Sequence, residues 1–492
     1  MNAIQKISAA ISFDITSIPT DLYIGGKWRP AKTGKRADVL DPSTGVTIAS
    51  IADCSVDEAM EAVAAAHAAA AGWAATAPRK RSEILRRCFE LMIERKDMLA
   101  KLISLENGKA LNDAHGEVAY AAEFFRWFSE EAVRLNGDIY SAPSGANKII
   151  VQHQPIGVAV LVTPWNFPAA MATRKIAPAL AAGCTCVLKP ATETPLTAFA
   201  LAEIYAEAGV PDGVVNVITT SQASPVVSAM LHDPRVRKLS FTGSTPVGRK
   251  LLHEAADTVI SCSMELGGNA PFIVFDDADL DAAIEGAMVA KMRNGGEACT
   301  AANRFYVQKG IVDEFSKRLA ERMSAMTVGV GYDKATQCGP VINKTALDRI
   351  AGLVDDATAR GAKVLTGGKP LDQEGYYFPP TVLKDVAADA NISAAEIFGP
   401  IAAITTFETE EEAIRVANDT EFGLISYVYT RDLSRGLRVS ERMESGMVGL
   451  NRGLVSDPAA PFGGTKQSGL GREGAHHGIL EFCETKYIAV TW

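Results

Sequence analysis

The sequence predicts an α/β protein of two lobes, each built on a parallel sheet, with a small β flap beside them. Three observations point there. From Lys148 onward, short β-branched runs alternate with helical stretches; the alternation restarts after Glu265; and a polar, turn-rich stretch at Gly137–Asn147 follows an all-helical region. Alternation of strands with helices is the signature of a parallel sheet, because parallel neighbours need a crossover connection between them.

In chain order, Ser55–Val133 is Ala-rich with charges at helical spacing, as in SVDEAMEAVAAAHAAAAGW and EILRRCFELMIERKDMLAKLISLENGK, and reads as a set of packed helices. Gly137–Asn147, with Pro143 and two glycines, leads into KIIVQHQ and suits a hairpin leaving the main body. The C-terminal KYIAVTW is another strand without a helix partner, so both are expected at a subunit interface. The first alternation runs through IGVAVLV, a helix from near Ala169, CTCVLKP, LTAFALAEIYAEAG, VVNVI, RKLSFTG and SCSMEL. The second runs through PFIVFD, a helix near Leu280–Met292, RFYVQ, a helix near Val312–Met326, IAAITTF and ISYVYT.

At 492 residues the chain exceeds a single core, which predicts about three domains or lobes. Its 49 Lys plus Arg against 58 Asp plus Glu give a charge of −9 without a basic block, which excludes nucleic acid as the main partner. The longest apolar candidate, Ala177–Leu188, is broken by Pro178, Gly183 and Thr185 and is too short for a bilayer, so no membrane partner is expected. The opening MNAIQKISAAISFD lacks the apolar core of a secretory signal, and a cytoplasmic location is expected. Eight cysteines with no CxxC and one CxC (Cys184, Cys186) give neither a disulfide framework nor a metal-ligand spacing.

Four short segments carry chemistry: TPWNFP (Thr163–Pro168), LKP (Leu188–Pro190), MELGG (Met264–Gly268) and NGGEACTAANR (Asn294–Arg304). Each is expected where a strand ends, the usual place for a site on a parallel sheet. Cys299 follows Gly295 and Gly296, which frees the backbone to present a thiol at a loop tip. Taken alone, a cysteine is more often a small buried hydrophobe. Asn166, before an aromatic in a Pro-bounded turn, can simply hold the turn through its own side chain. Glu265 by itself reads as a solvated charge, but its uncharged flanks SCSM and LGG favour burial and a raised pKa. FTGSTPVG (Phe241–Gly248) is no GxGxxG; its glycine-bounded turn between strand and helix still suits a phosphate at a helix N-terminus.

Together with EIFGP (Glu396–Pro400) and PFGGTKQSGLGREG (Pro461–Gly474), these segments resemble the aldehyde dehydrogenase superfamily from about Tyr23 to the C-terminus. The resemblance implies a Rossmann-like cofactor-binding lobe (1–128 and 149–264), an α/β catalytic lobe (265–458) and a β oligomerisation flap (129–148 and 475–492), with 459–474 returning to the cofactor-binding lobe. It implies Cys299 as a nucleophile toward an aldehyde carbon. The Asn166 amide and the Cys299 N–H become oxyanion donors, and Glu265 the base that activates the water hydrolysing a thioester.

NADP or NAD is the implied cofactor, held by Thr163, Trp165, Gly243, Ser244, Gly248 and Leu266. Lys189 resembles the ribose-binding lysine, and Glu396 with Phe398 the pair on the nicotinamide ribose and ring. Thr192 stands where NAD-preferring relatives often have Glu, and its neutral hydroxyl does not repel a 2′-phosphate; Glu193 follows it. Three further matches resemble the succinate-semialdehyde branch: Arg174 in MATRK, Arg293 six residues before Cys299, and Ser456 in GLVSDPAAPFGG, which there grip a distal carboxylate. The implied function is oxidation of succinate semialdehyde by a homodimer or homotetramer, with glutarate or 2-oxoglutarate semialdehyde as alternatives. A non-catalytic protein on the same fold is the reading of a different class; joint retention of Cys299, Glu265 and Asn166 speaks against it. Ala301, where some relatives carry a second cysteine, removes a disulfide partner for Cys299.

Overall fold

Gly25 and Gly26, both at positive φ (61° and 76°), close the first hairpin, β1 (Leu22–Ile24) with β2 (Lys27–Arg29). A second antiparallel pair, β3 (Arg36–Leu40) with β4 (Thr47–Ala52), follows. The sequence reading anticipated neither pair, because strands this short carry too few alternations to stand out. The structure is a computed structural model and describes residues 7–9 and 11–491.

Four helices then occupy the region expected to be helical: α1 (Val56–Ala74), α2 (Pro78–Glu94), α3 (Lys96–Asn107) and α4 (Leu111–Glu131). β5 (Asp138–Ser141) and β6 (Lys148–Pro155) form the expected hairpin, and the C-terminal strand Cys483–Val490 pairs with β6 along its length.

The first sheet takes its strands from the run β7 (Val158–Val162), α5 (Pro168–Ala182), β8 (Thr185–Lys189), α6 (Leu196–Glu207), β9 (Val215–Val217), α7 (Ala223–Leu231), β10 (Val236–Thr242), α8 (Thr245–Ala256) and β11 (Ser261–Glu265). Its order is β2-β1-β9-β8-β7-β10-β11, closed by the short strand Gly469–Leu470, and β9 through β11 are parallel. Chain order therefore runs outward in one direction from β7 to β9 and then restarts on the other side at β10. A crevice opens outside the carboxyl ends of strands at such a reversal. Register brings those ends level: Val162 lies opposite Lys189 and Phe241, and Thr242 opposite Glu265. One face of this sheet packs on the core shared by α2 to α6, and the other on a core shared with α1 and α7.

Leu266–Asn269 carry the chain across to the second sheet, which begins at β12 (Ala270–Val274). It continues with α9 (Leu280–Met292), β13 (Ala302–Gln308), α10 (Val312–Ser324), α11 (Lys344–Ala359), β14 (Lys363–Thr366), β15 (Thr381–Lys384), β16 (Ile401–Phe407), β17 (Ile425–Tyr429) and β18 (Met447–Leu450). The order is β14-β15-β16-β13-β12-β17-β18, parallel except for β14. One expectation is corrected here. Asn294–Arg304 does not sit where a strand ends; it links α9 to the amino end of β13. The chain leaves α9 through three left-handed residues, Asn294, Gly295 and Gly296 (φ 55°, 59° and 78°), and enters the strand only at Ala302. Among the described residues no helix is long and apolar enough to cross a membrane.

Candidate active site

A cavity of about 330 Å³ lies at the carboxyl ends of β7 and β10. The first sheet contributes Trp165 and Asn166 beyond β7, and Gly243 and Ser244 beyond β10. Leu266, on the crossing between the sheets, closes one side. The second sheet's side contributes Cys299, Glu396 and Phe398, together with Arg349 from α11. The Trp165 and Phe398 rings meet edge to face with centroids 5.4 Å apart.

The turn into α8 suits an anion. Ser244 caps the helix without a side-chain hydrogen bond, so no side chain covers its first N–H groups, and Pro246 sits in the first turn where a missing N–H costs nothing. Gly243 and Gly248 serve packing: a Cβ on Gly243 would stand 2.5 Å from the Phe241 ring, and one on Gly248 2.4 Å from Leu266. Glu396 accepts the Gly268 N–H at 3.1 Å, and burial pushes its carboxyl up to about 7. Arg349 donates to the carbonyls of Glu396 (2.9 Å) and Ile397 (2.6 Å), which pins the EIFGP segment.

Lys189 lies buried at the level end of β8, donating to Pro190 O at 3.1 Å, and burial lowers its pKa. Thr163 is buried just beyond the end of β7. Thr192 donates its hydroxyl to Thr220 O at 3.2 Å and, with exposed Glu193, borders a neighbouring cavity.

Cys299 faces the main cavity. Burial pushes its thiol up to about 12, against the pull of the Arg174 charge. A Cβ on Gly268 would fall 2.5 Å from Cys299 O, so the second glycine of MELGG is what lets the cysteine loop close against this crossing. Asn166 donates Nδ2 to Glu297 O at 3.2 Å, and its Oδ1 has no partner among the described residues.

Glu265 is buried at the end of β11. Burial raises its carboxyl well above the ordinary range, and neighbouring Glu473 raises it further, while Arg174 and Lys175 oppose. Burial acts on Glu473 in the same sense, yet Arg174 and Lys175 hold it below the usual carboxylate range.

Arg174 lies on α5, paired with Glu473, with its guanidinium 4.2 Å from the Phe462 ring centroid. Arg293 and Ser456 instead border a second cavity of about 250 Å³ with Tyr120 and Phe167, and Arg293 stacks 4.8 Å from the Phe167 centroid. Of the three residues expected to grip a carboxylate, the structure thus groups Arg293 with Ser456 and turns Arg174 toward Glu473. Tyr120, which lines that second cavity, lies within reach of the Arg174 charge. Arg349, Asn294, Lys109, Glu117 and Glu473 escaped the sequence reading. Glu473 and Asn294 had a local signal, their places in GREG and at the head of NGGEACTAANR; the rest act through the fold.

The fold and the cavity are those of an NAD(P)-dependent oxidoreductase. The chain belongs to the aldehyde dehydrogenase family, whose model matches residues 28–488. It is 56% identical to a succinate-semialdehyde dehydrogenase of Paenarthrobacter nicotinovorans over 443 residues, 90% of this chain and 98% of that protein. It is 50% identical to a glutarate-semialdehyde dehydrogenase of Pseudomonas putida over 469 residues, 95% and 97% of the two chains. A solved structure described as an E. coli NADP dependent enzyme superposes with a TM-score of 0.96 at 48% identity, covering 97% of this chain and 99% of that one. The family and the fold expected from the motifs are those found.

Proposed function

We propose that the chain oxidises succinate semialdehyde to succinate with NADP or NAD as hydride acceptor. The observation that carries the reading is the one cavity where Cys299, Asn166, Glu396 and Phe398 meet, with Arg293 and Ser456 in the next. The relative from Paenarthrobacter nicotinovorans bears that activity in its name. Glutarate semialdehyde, one methylene longer and named for the Pseudomonas putida relative, is the second reading.

The first sheet's segments, 1–128 and 149–264, would form the cofactor-binding lobe, with 1–6 and 10 outside the described residues and 459–474 returning to it, and 265–458 would form the catalytic lobe. The remaining segments, 129–148 and 475–492, of which 492 lies outside the described residues, would form the oligomerisation flap, where exposed Ile139, Tyr140 and Tyr487 would meet a partner copy in a homodimer or homotetramer.

The residues fit a dinucleotide, because the α8 N-terminus opens on the cavity without a side-chain cap and a carboxylate and two aromatic rings line the same space. Gly243 and Ser244 would face the phosphates, with Gly248 letting α8 pack closely. Glu396 and Phe398 would hold the nicotinamide ribose and ring, and Lys189 and Thr192 the adenosine ribose. Trp165 and Leu266 wall the site, and Thr163, buried just beyond β7, would support that wall. The cofactor, when bound, supplies the hydride acceptor.

At rest the Cys299 thiol keeps its proton, so attack needs a base. Glu265, whose carboxyl is raised by burial well above the ordinary range, is a stronger base than a solvated carboxylate once ionised. The thiolate adds to the aldehyde carbon, an S–C bond forms, and the carbonyl electrons move to oxygen. The second N–H of the Asn166 amide and the Cys299 N–H stabilise that oxyanion. Its collapse expels the hydride and leaves a thioester on Sγ. Glu265 passes the thiol proton to solvent and then takes a proton from water, whose oxygen bonds to the acyl carbon; the C–S bond breaks, sulfur regains that proton from Glu265, and the acid leaves.

Steady-state assays with NAD, NADP and a semialdehyde panel test the reading. Succinate semialdehyde is expected to give the highest kcat/KM. Cys299→Ala is expected to abolish oxidation while keeping cofactor binding, and retained turnover removes the assignment.

A further inference from the structure

The carbonyls of Asn166 and Glu297 belong to the two segments that carry the proposed oxyanion donors, the turn before α5 and the loop ahead of Cys299. Both accept from one side-chain amide. Asn294 Nδ2 lies 2.8 Å from Asn166 O and 2.9 Å from Glu297 O, and an amide nitrogen carries two hydrogens, one for each. Asn294 is buried and left-handed (φ 55°, ψ 38°), and its own N–H donates to Asp113 Oδ2 on α4 at 2.9 Å. Left-handed backbone costs a residue with a Cβ, and the next two positions are glycine. What asparagine adds over a third glycine is this bridging amide.

We infer that Asn294 is a positioning residue that sets the spacing of the two oxyanion donors, a role that rests on the function proposed above. Asn166 spends one Nδ2 hydrogen on Glu297 O at 3.2 Å, which fixes the amide plane and leaves the other for the oxyanion. Asn166 O also accepts from buried Lys109 Nζ at 2.7 Å. Lys109 is paired with buried Glu117, whose other oxygen takes the Ala169 N–H at 2.8 Å in the first turn of α5. The circuit is closed: neither segment moves without breaking a buried hydrogen bond, and oxyanion stabilisation depends on donors held at the right distance beforehand.

Two variants test it. Asn294→Gly keeps the left-handed backbone and removes both hydrogens; Asn294→Asp keeps the shape but faces both carbonyls with oxygen. In each, the hydride-transfer rate is expected to fall by roughly tenfold or more. KM for the aldehyde and the rate of Cys299 alkylation by iodoacetamide, which needs no oxyanion donor, are expected to stay within about twofold. On an Asn166→Ala background, Asn294→Gly is expected to cost less than about twofold, because the donor it positions is already gone. Undiminished hydride transfer in either variant, equal losses in hydride transfer and alkylation, or additive losses in the double variant overturn the inference. Full activity of Asn166→Ala alone overturns instead the oxyanion reading of the site, and the inference falls with it.

Discussion

Lys175 and Glu473 stand 298 positions apart in the chain, yet the Lys175 ammonium meets the Glu473 carboxylate at 2.5 Å with both side chains buried. The contact ties α5, which follows the Asn166 turn, to the segment returning from the second sheet. It also sets the charge beside Glu265. Two cations keep Glu473 ionised, and an ionised neighbour makes a second buried carboxylate unfavourable, so the proton of the pair rests on Glu265.

Removing that carboxylate strands Arg174 and Lys175 as buried cations. Glu473→Gln is therefore expected to destabilise the fold by about 3 to 5 kcal/mol at neutral pH, read by chemical denaturation. The sign with pH follows from the depressed folded value. Stability from Glu473 is fully present above its ordinary 4.5 and is lost as pH falls through the lower folded value. The gap between wild type and variant is expected to narrow as pH drops below 4.5; a gap independent of pH in acid excludes the ion pair as its source.

Glu265→Gln separates the two half-reactions. Without a base for water, the acyl group is expected to stay on Cys299, seen as a covalent mass increase after aldehyde and cofactor are added. In the wild type both Glu265 and Cys299 are raised and must give up a proton, so turnover is expected to climb from pH 6 to pH 9. Normal turnover in the variant removes Glu265 from the mechanism.

Why so much was legible lies in particular residues. Glu265, Lys189 and Gly243 sit at or just beyond strand ends that the register brings level, so reading the strands placed the site. Cys299 stands out only through the family resemblance, since its glycines alone leave it a buried small hydrophobe, and its loop enters a strand and does not leave one. The bridging role of Asn294 and the role of Glu117 were illegible, because the first depends on a carbonyl 128 positions away and the second on an N–H 52 positions away. Arg174 was found as a charge, but nothing local announced that Glu473 would pair with it.

The cofactor prediction turns on Thr192. Its hydroxyl is spent on Thr220 O, which leaves no fixed negative charge from this side chain. NADP is expected to be accepted, and Thr192→Glu is expected to shift the ratio of kcat/KM values toward NAD by like-charge repulsion with the 2′-phosphate. Absence of NADP activity in the wild type assigns control to Glu193 or another group.

The last prediction concerns substrate choice. Arg293 and Ser456 border the second cavity, while Arg174, eight residues past Asn166 on α5, pairs with Glu473. A guanidinium stacked on Phe167 is poorly hydrated and gains from a carboxylate that it can fork onto, whereas a methyl group offers it nothing. Loss of one charged partner in a desolvated pocket costs about 2 to 5 kcal/mol, so Arg293→Ala is expected to cut kcat/KM for succinate semialdehyde by roughly 30-fold or more. Butanal, with the same four carbons and no carboxylate, is expected to be spared. The ratio of the two substrates is the measurement. If both fall together, Arg293 supports the fold or the cofactor, and carboxylate selection must be sought at Arg174 and Ser456 alone.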